Sequence, residues 1–173
     1  FFLLKRKNVS ILGNNRNLLF LRGLFGTIGL YLYFVILQEI PLATASTLIY
    51  LTPFFTSIVG IIVLKEKMSI YQWLFLAIAF LGIILIQGFD ARVSLESVIM
   101  GASGSLCAAF AYNIIRYLKD KEDSLVLMIY FPMIACPIGA FISYFNWVPP
   151  SFYEYVILIL IGVFTQFAQY FMT

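Results

Sequence analysis

Apolar residues run in blocks of about 20 along this chain, the length an α-helix needs to cross about 30 Å of hydrocarbon, with short charged clusters between the blocks. Residues 1–4 read as the tail of one such block. They lead into Lys5, Arg6 and Lys7 and a polar stretch with Asn14, Asn15 and Arg16. The next block, 18–37, carries Arg22 near its start. Residues 23–37 alone would cover only about 22 Å, so the span must include 18–21, and Arg22 is expected to snorkel toward the headgroups. Pro41 suits the first turn of the following span, 42–64, which ends at Lys65, Glu66 and Lys67. Within it Pro53 removes one helical hydrogen bond, which predicts a kink and a freed Ile49 carbonyl. Further spans follow at 71–87, 98–117 and 124–147, the last interrupted by Pro132 and Pro137, and a final run begins near Phe152. The pattern predicts six spans and a remnant, an all-α polytopic bundle.

Composition agrees with a lipid-facing surface. Of 173 residues 62% are hydrophobic and 11% charged, against about 25% charged in soluble domains. The net charge of +3 comes from loop residues between spans rather than from a patch, so no nucleic-acid partner is indicated. Cys107 and Cys136 fall inside spans and are expected to pack as small apolar groups. The chain starts at Phe1 and stops within an apolar run, so both ends read as cut.

Lys and Arg mark the cytoplasmic side of a membrane protein. If the spans alternate, ten of the eleven basic residues share one side and only Arg92 lies on the other, with Glu39, Asp90, Glu96 and Glu154. The start of the 18–37 span is then cytoplasmic and the Asp90 loop external. A shift of 139 positions sets Leu19, Leu21, Gly23, Phe25 and Tyr31 on Leu158, Leu160, Gly162, Phe164 and Tyr170, and Phe2 on Phe141. The matched spans enter from opposite sides, so the repeat is inverted, an architecture that recurs in secondary transporters. Chance similarity between apolar helices is the competing reading.

Arg22-Gly23 opening a span, Pro41-Leu42-Ala43 entering the next, Tyr50-Leu51-Thr52-Pro53-Phe54-Phe55 within it, Leu64-Lys65-Glu66 closing it, and Gln72-Trp73 followed by Gly82-Ile83 together resemble the EamA-type branch of the drug/metabolite transporter superfamily. The resemblance covers roughly residues 18–87. It implies ten helices in two inverted five-helix repeats around a central cavity. Residues 1–88 would hold the end of helix two and helices three to five of the first repeat, and 89–173 helices six to eight of the second. It also implies a small-molecule solute as partner, a lipid bilayer as surroundings and the bacterial cytoplasmic membrane as location. No cofactor is expected, and nothing in the pattern speaks to oligomeric state.

Every Asp, Glu, Lys and Arg falls near a span end, and the chain has no His, which excludes an HExxH zinc site or His-ligated haem in it. Polar groups cluster in two spans instead. Thr44, Ser46, Thr47, Tyr50, Thr52, Thr56 and Ser57 lie with Pro53 on the span led by Pro41. Gly101, Ser103, Gly104, Ser105, Ala108, Ala109 and Asn113 make the second cluster. The candidate solute pathway is Thr47, Tyr50, Pro53, Asn113 and Gln166. For each hydroxyl the competing reading is a bond back to its own helix. For Asn113, Gln166 and Gln169 it is an interhelical hydrogen bond. Arg22 and Glu66 are either topology anchors or parts of a cytoplasmic gate. Trp73, Tyr117, Trp147, Tyr153 and Tyr155 sit at span ends, as interfacial aromatics do. These features, with what the resemblance implies, favour a transporter of an amphipathic or zwitterionic metabolite working by alternating access; export is an expectation from the resemblance, since the residues themselves do not set a direction. A membrane-embedded enzyme on lipid-linked substrates would need ionisable residues clustered at one face, which the sequence lacks; a scaffold subunit is the third class.

Overall fold

The structure, a computed structural model, describes residues 13–87, 94–145 and 147–172. The residue 1–4 remnant, the Lys5 to Lys7 cluster and the loop carrying Asp90 and Arg92 lie outside these. The described residues form helices without strands: α1 (Arg16–Glu39), α2 (Leu42–Ile49), α3 (Thr52–Leu64), α4 (Ile70–Gln87), α5 (Leu95–Leu118), α6 (Ser124–Phe145) and α7 (Phe152–Met172). Four stretches are long and apolar enough to cross a membrane: Arg16–Glu39, Leu42–Leu64, Leu95–Leu118 and Ser124–Phe145. By their residue counts of 18 and 21, α4 and α7 measure about 27 and about 31 Å.

Local chemistry sets the helix starts. Ser69 and Gln72 form a reciprocal box at α4, the Ser69 amide donating to Gln72 Oε1 at 2.8 Å and the Gln72 amide to Ser69 Oγ at 3.4 Å. Ser151 and Glu154 repeat the arrangement at α7, at 2.6 and 3.4 Å. Asp123 Oδ1 accepts from the Leu125 amide at the start of α6. In each case a short polar side chain satisfies amides that have no partner within the helix.

The span led by Pro41 is two helices. Tyr50 and Leu51 keep right-handed backbone angles but form a tighter turn, the Leu51 amide donating to the Leu48 carbonyl at 3.2 Å, and Pro53 occupies the first turn of α3, where its missing N–H is not needed. A kink was the expectation from Pro53; the structure divides the span into two helices just before it. The carbonyl served by a neighbouring helix is Leu48's rather than Ile49's: Ser105 Oγ donates to it at 2.5 Å. Pro132 and Pro137 were expected to interrupt their span, yet α6 runs through both. Each removes one hydrogen bond, and an apolar helix at membrane depth tolerates that with small local adjustments.

The chain divides into two compact units. One comprises Leu24–Tyr117. Here Ile36, Ile40 and Ala45 are buried, with Tyr33, Leu37, Leu48 and Met100 packed around them. Helices α1 and α5 approach closely where two glycines meet; a Cβ on Gly29 would lie 3.0 Å from the Gly104 carbonyl oxygen. Lipid supplies no hydrophobic drive for helices to associate, so such close backbone approach and the dispersion contacts it permits hold them together. Phe25 and Phe110 stack at 5.3 Å across the same pair.

The other unit comprises Phe1–Gly23 and Leu118–Thr173. Leu19, Leu118, Val126, Leu127 and Tyr130 are buried in it. Glu122 Oε1 accepts from the amides of Asn14 and Asn15, at 2.8 and 2.6 Å, and from Asn15 Nδ2 at 3.1 Å, so a carboxylate sits on the start of α1. That arrangement answers both the unpaired amides and the positive end of the helix dipole.

Candidate functional site

The polar residues of α2 and α3 mostly bond within their own helices. Ser46 donates to the Leu42 carbonyl, Thr47 to Ala43, Thr56 to Thr52 and Ser57 to Pro53, at 2.7 to 3.1 Å. On α5 Ser103 does the same to Ile99. Among the candidates, Thr47 is half-buried and self-bonded, while Tyr50 and Pro53 are exposed at the break between α2 and α3. Gln166 is exposed on α7, in the other unit, and the Gln169 side chain lies outside the described atoms.

Asn113 behaves differently. It is only 3% exposed. Its Nδ2 donates to the Thr56 carbonyl across the helix pair at 3.0 Å and to the Ala109 carbonyl of its own helix at 2.9 Å. Two carbonyl acceptors fix the amide's orientation, because turning it over would set oxygen against oxygen. Its Oδ1 is thereby directed away from both carbonyls and has no hydrogen-bond partner. A buried acceptor without a partner costs roughly 1–3 kcal/mol.

That oxygen faces Gly60. A Cβ built there would lie 3.2 Å from Asn113 Oδ1 and 3.3 Å from Glu66 Oε2. Glu66 reaches this position because α3 ends on Lys65 in the left-handed conformation, φ 55°, after which the Glu66 amide donates back to the Gly60 carbonyl at 3.4 Å. Glu66 Oε2 also pairs with Arg116 at 3.0 Å, one turn beyond Asn113 on α5. The site therefore combines an amide oxygen, a carboxylate and a guanidinium around one glycine, at the C-terminal ends of α3 and α5. Both helix dipoles present their negative ends there.

Arg22, expected to snorkel, is instead 4% exposed and lies over the Phe131 ring at 5.4 Å. The flat guanidinium is weakly hydrated and stacks on an aromatic face, which lets protein rather than headgroups surround it. Glu66 has its ion pair with Arg116, a partner that the sequence reading did not assign. The spacing offered one clue: Asn113 and Arg116 are three residues apart and so share a helix face. Gly60 carried no clue at all, since a glycine in an apolar helix is ordinarily a packing residue.

Residues 1–88 match the EamA-like transporter family. The chain belongs to that family. EamA-like relatives extend the match over the rest of the chain. The pseudopaline exporter CntI of Pseudomonas aeruginosa is 26% identical over 176 residues, covering 100% of this chain and 62% of its own length. Solute carrier family 35 member G1 of Mus musculus is 30% identical over 91% of this chain and 47% of its own length. The S-adenosylmethionine uptake transporter of Rickettsia prowazekii is 21% identical over 88% of the chain and 52% of its length. The chain thus spans about three fifths or less of these relatives. No solved structure matches it. With four stretches long enough to cross a bilayer and membership of this family, it is an integral membrane protein.

Proposed function

We propose that the protein is part of a secondary transporter that moves a small amphipathic or amino-acid-like metabolite by alternating access, in the outward direction. The observation that carries this reading is Asn113: a polar side chain kept 97% buried with one acceptor unsatisfied, inside an apolar helix bundle of a transporter family. A stability cost of that kind, set beside the broken span led by Pro41, suits a solute path more than a packing role. In this reading residues 1–88 contribute the end of helix two and helices three to five of a first repeat. Residues 89–173 contribute helices six to eight of a second repeat turned over in the membrane. The exporter name of the Pseudomonas relative, aligned over the whole chain, supports outward movement, and bacterial relatives support the cytoplasmic membrane.

The test is solute flux by the full-length protein in proteoliposomes, with Asn113→Leu and Tyr50→Leu as variants. Saturable flux that falls in both is expected. Normal flux in both variants would remove these residues from the path, and an absence of any saturable flux would remove the transport reading.

A further inference from the structure

We propose that Asn113 Oδ1 and Glu66 Oε2 together hold the primary ammonium group of the carried solute, above Gly60. This rests on the transport reading and names a chemical class for its solute. Both oxygens are acceptors, and both are directed at the same face of Gly60: a Cβ built on it would lie 3.2 Å from the one and 3.3 Å from the other. A group with at least two donor hydrogens can satisfy two acceptors at once. The negative ends of α3 and α5 and the Glu66 carboxylate favour one carrying positive charge. A primary ammonium has three N–H groups and fits both requirements.

Asn113 is the independent observation. Its oxygen is buried and unpartnered while its nitrogen is fully used, so the side chain is oriented before any ligand arrives. Arg116 holds Glu66 through Oε2 and is 59% exposed, so it can yield that oxygen at small cost. The ammonium would thus exchange one cation for another at the carboxylate and gain the amide oxygen that Arg116 leaves unmet. Gly60 is required because any side chain there would occupy the approach to both oxygens.

The experiment is thermal unfolding of the full-length protein in detergent, with methylammonium chloride, tetramethylammonium chloride or sodium chloride at equal high concentration. Methylammonium fits irrespective of the solute's side chain, and tetramethylammonium has the same charge without N–H groups. We expect methylammonium to raise Tm by about 2 °C over both controls, and Gly60→Ala and Glu66→Gln each to abolish the difference. Glu66→Gln changes a partly exposed side chain and keeps its shape, so it reports even if Gly60→Ala disturbs packing. Equal melting in the three salts, an equal rise with sodium, or a methylammonium effect that survives both variants would overturn the proposal. Because no flux is measured, methylammonium binding that depends on Glu66 stands as support for the site even if the vesicles carry nothing.

Discussion

Replacing Asn113 by leucine separates a residue kept for function from one kept for packing, because the structure allows both sides of the change to be weighed. The variant loses two side-chain hydrogen bonds, to the Thr56 and Ala109 carbonyls. Such bonds average about 0.6 kcal/mol in membrane proteins, so the loss is about 1.2 kcal/mol. Both carbonyls lie inside helices and keep their i+4 partners, so neither becomes unsatisfied. Against this, the substitution removes an acceptor buried without a partner, which relieves roughly 1–3 kcal/mol. Leucine's extra bulk takes back up to about 1 kcal/mol. The net expectation is a stability within about 1 kcal/mol of the starting protein, or higher, together with loss of solute flux. Asn113→Asp should do the opposite to stability, setting a carboxylate against the two carbonyls and costing more than about 2 kcal/mol. Reversible unfolding by SDS titration in mixed micelles measures both. If Asn113→Leu cost more than about 2.5 kcal/mol, the side chain would be an interhelical fastener and its oxygen would have a partner in the folded protein.

Three further outcomes are expected. Gly29→Leu should lower stability by about 1–3 kcal/mol in the same titration, since even the first carbon would press on the Gly104 carbonyl at 3.0 Å; an unchanged midpoint would contradict the close approach of α1 and α5. Arg116→Ala should change stability by less than about 1 kcal/mol, because the pair it forms with Glu66 is more than one-third exposed on each side; a larger loss measured by unfolding would show that the pair is structural. In a variant lacking Cys107 and Cys136, single cysteines at Lys65 and Asp90 should react with an impermeant maleimide from opposite sides of the membrane, and labelling from the same side would break the alternation of spans.

The helices were legible because lipid imposes one period and one length on them. The run at 18–37 lies within two residues of the ends of α1, the run at 42–64 matches the start of α2 and the end of α3, and the irregularity between them was expected from a single proline that lacks an N–H. Asn113 was also legible, as the one amide in a run of small residues. The site around it was not. That Glu66 pairs with Arg116 depends on Lys65 adopting a left-handed turn, which a lysine seldom does and which no pattern of apolar positions reports. That Arg22 is enclosed depends on Phe131, more than 100 residues further along the chain, offering its ring face. Both facts belong to packing between distant segments, whereas periodicity reports only which residues share a face.

Four cross-helix polar contacts among the described residues of the Leu24–Tyr117 unit involve α5. Ser97 Oγ donates to Glu39 Oε2 at 3.0 Å, Ser105 to the Leu48 carbonyl, Asn113 to the Thr56 carbonyl, and Arg116 pairs with Glu66. At 100° per residue these four positions fall within one half of the helix circumference, while Ser46, Thr47, Thr56 and Ser57 of α2 and α3 bond back to their own helices. A helix fastened along its length in this way moves only if its contacts release in sequence. The two at its ends involve carboxylates whose hydrogen bonds water or a cation can replace. The Ser105 bond in the middle is held to a carbonyl beside the α2–α3 junction, where the helical hydrogen-bond pattern changes at a tighter turn. Opening at the Arg116 end would therefore pivot near Ser105 and leave the Glu39 end closed, and opening at the Glu39 end would do the reverse. In the middle of the helix, this arrangement relies on a hydroxyl, an amide and backbone carbonyls rather than on an ionised group.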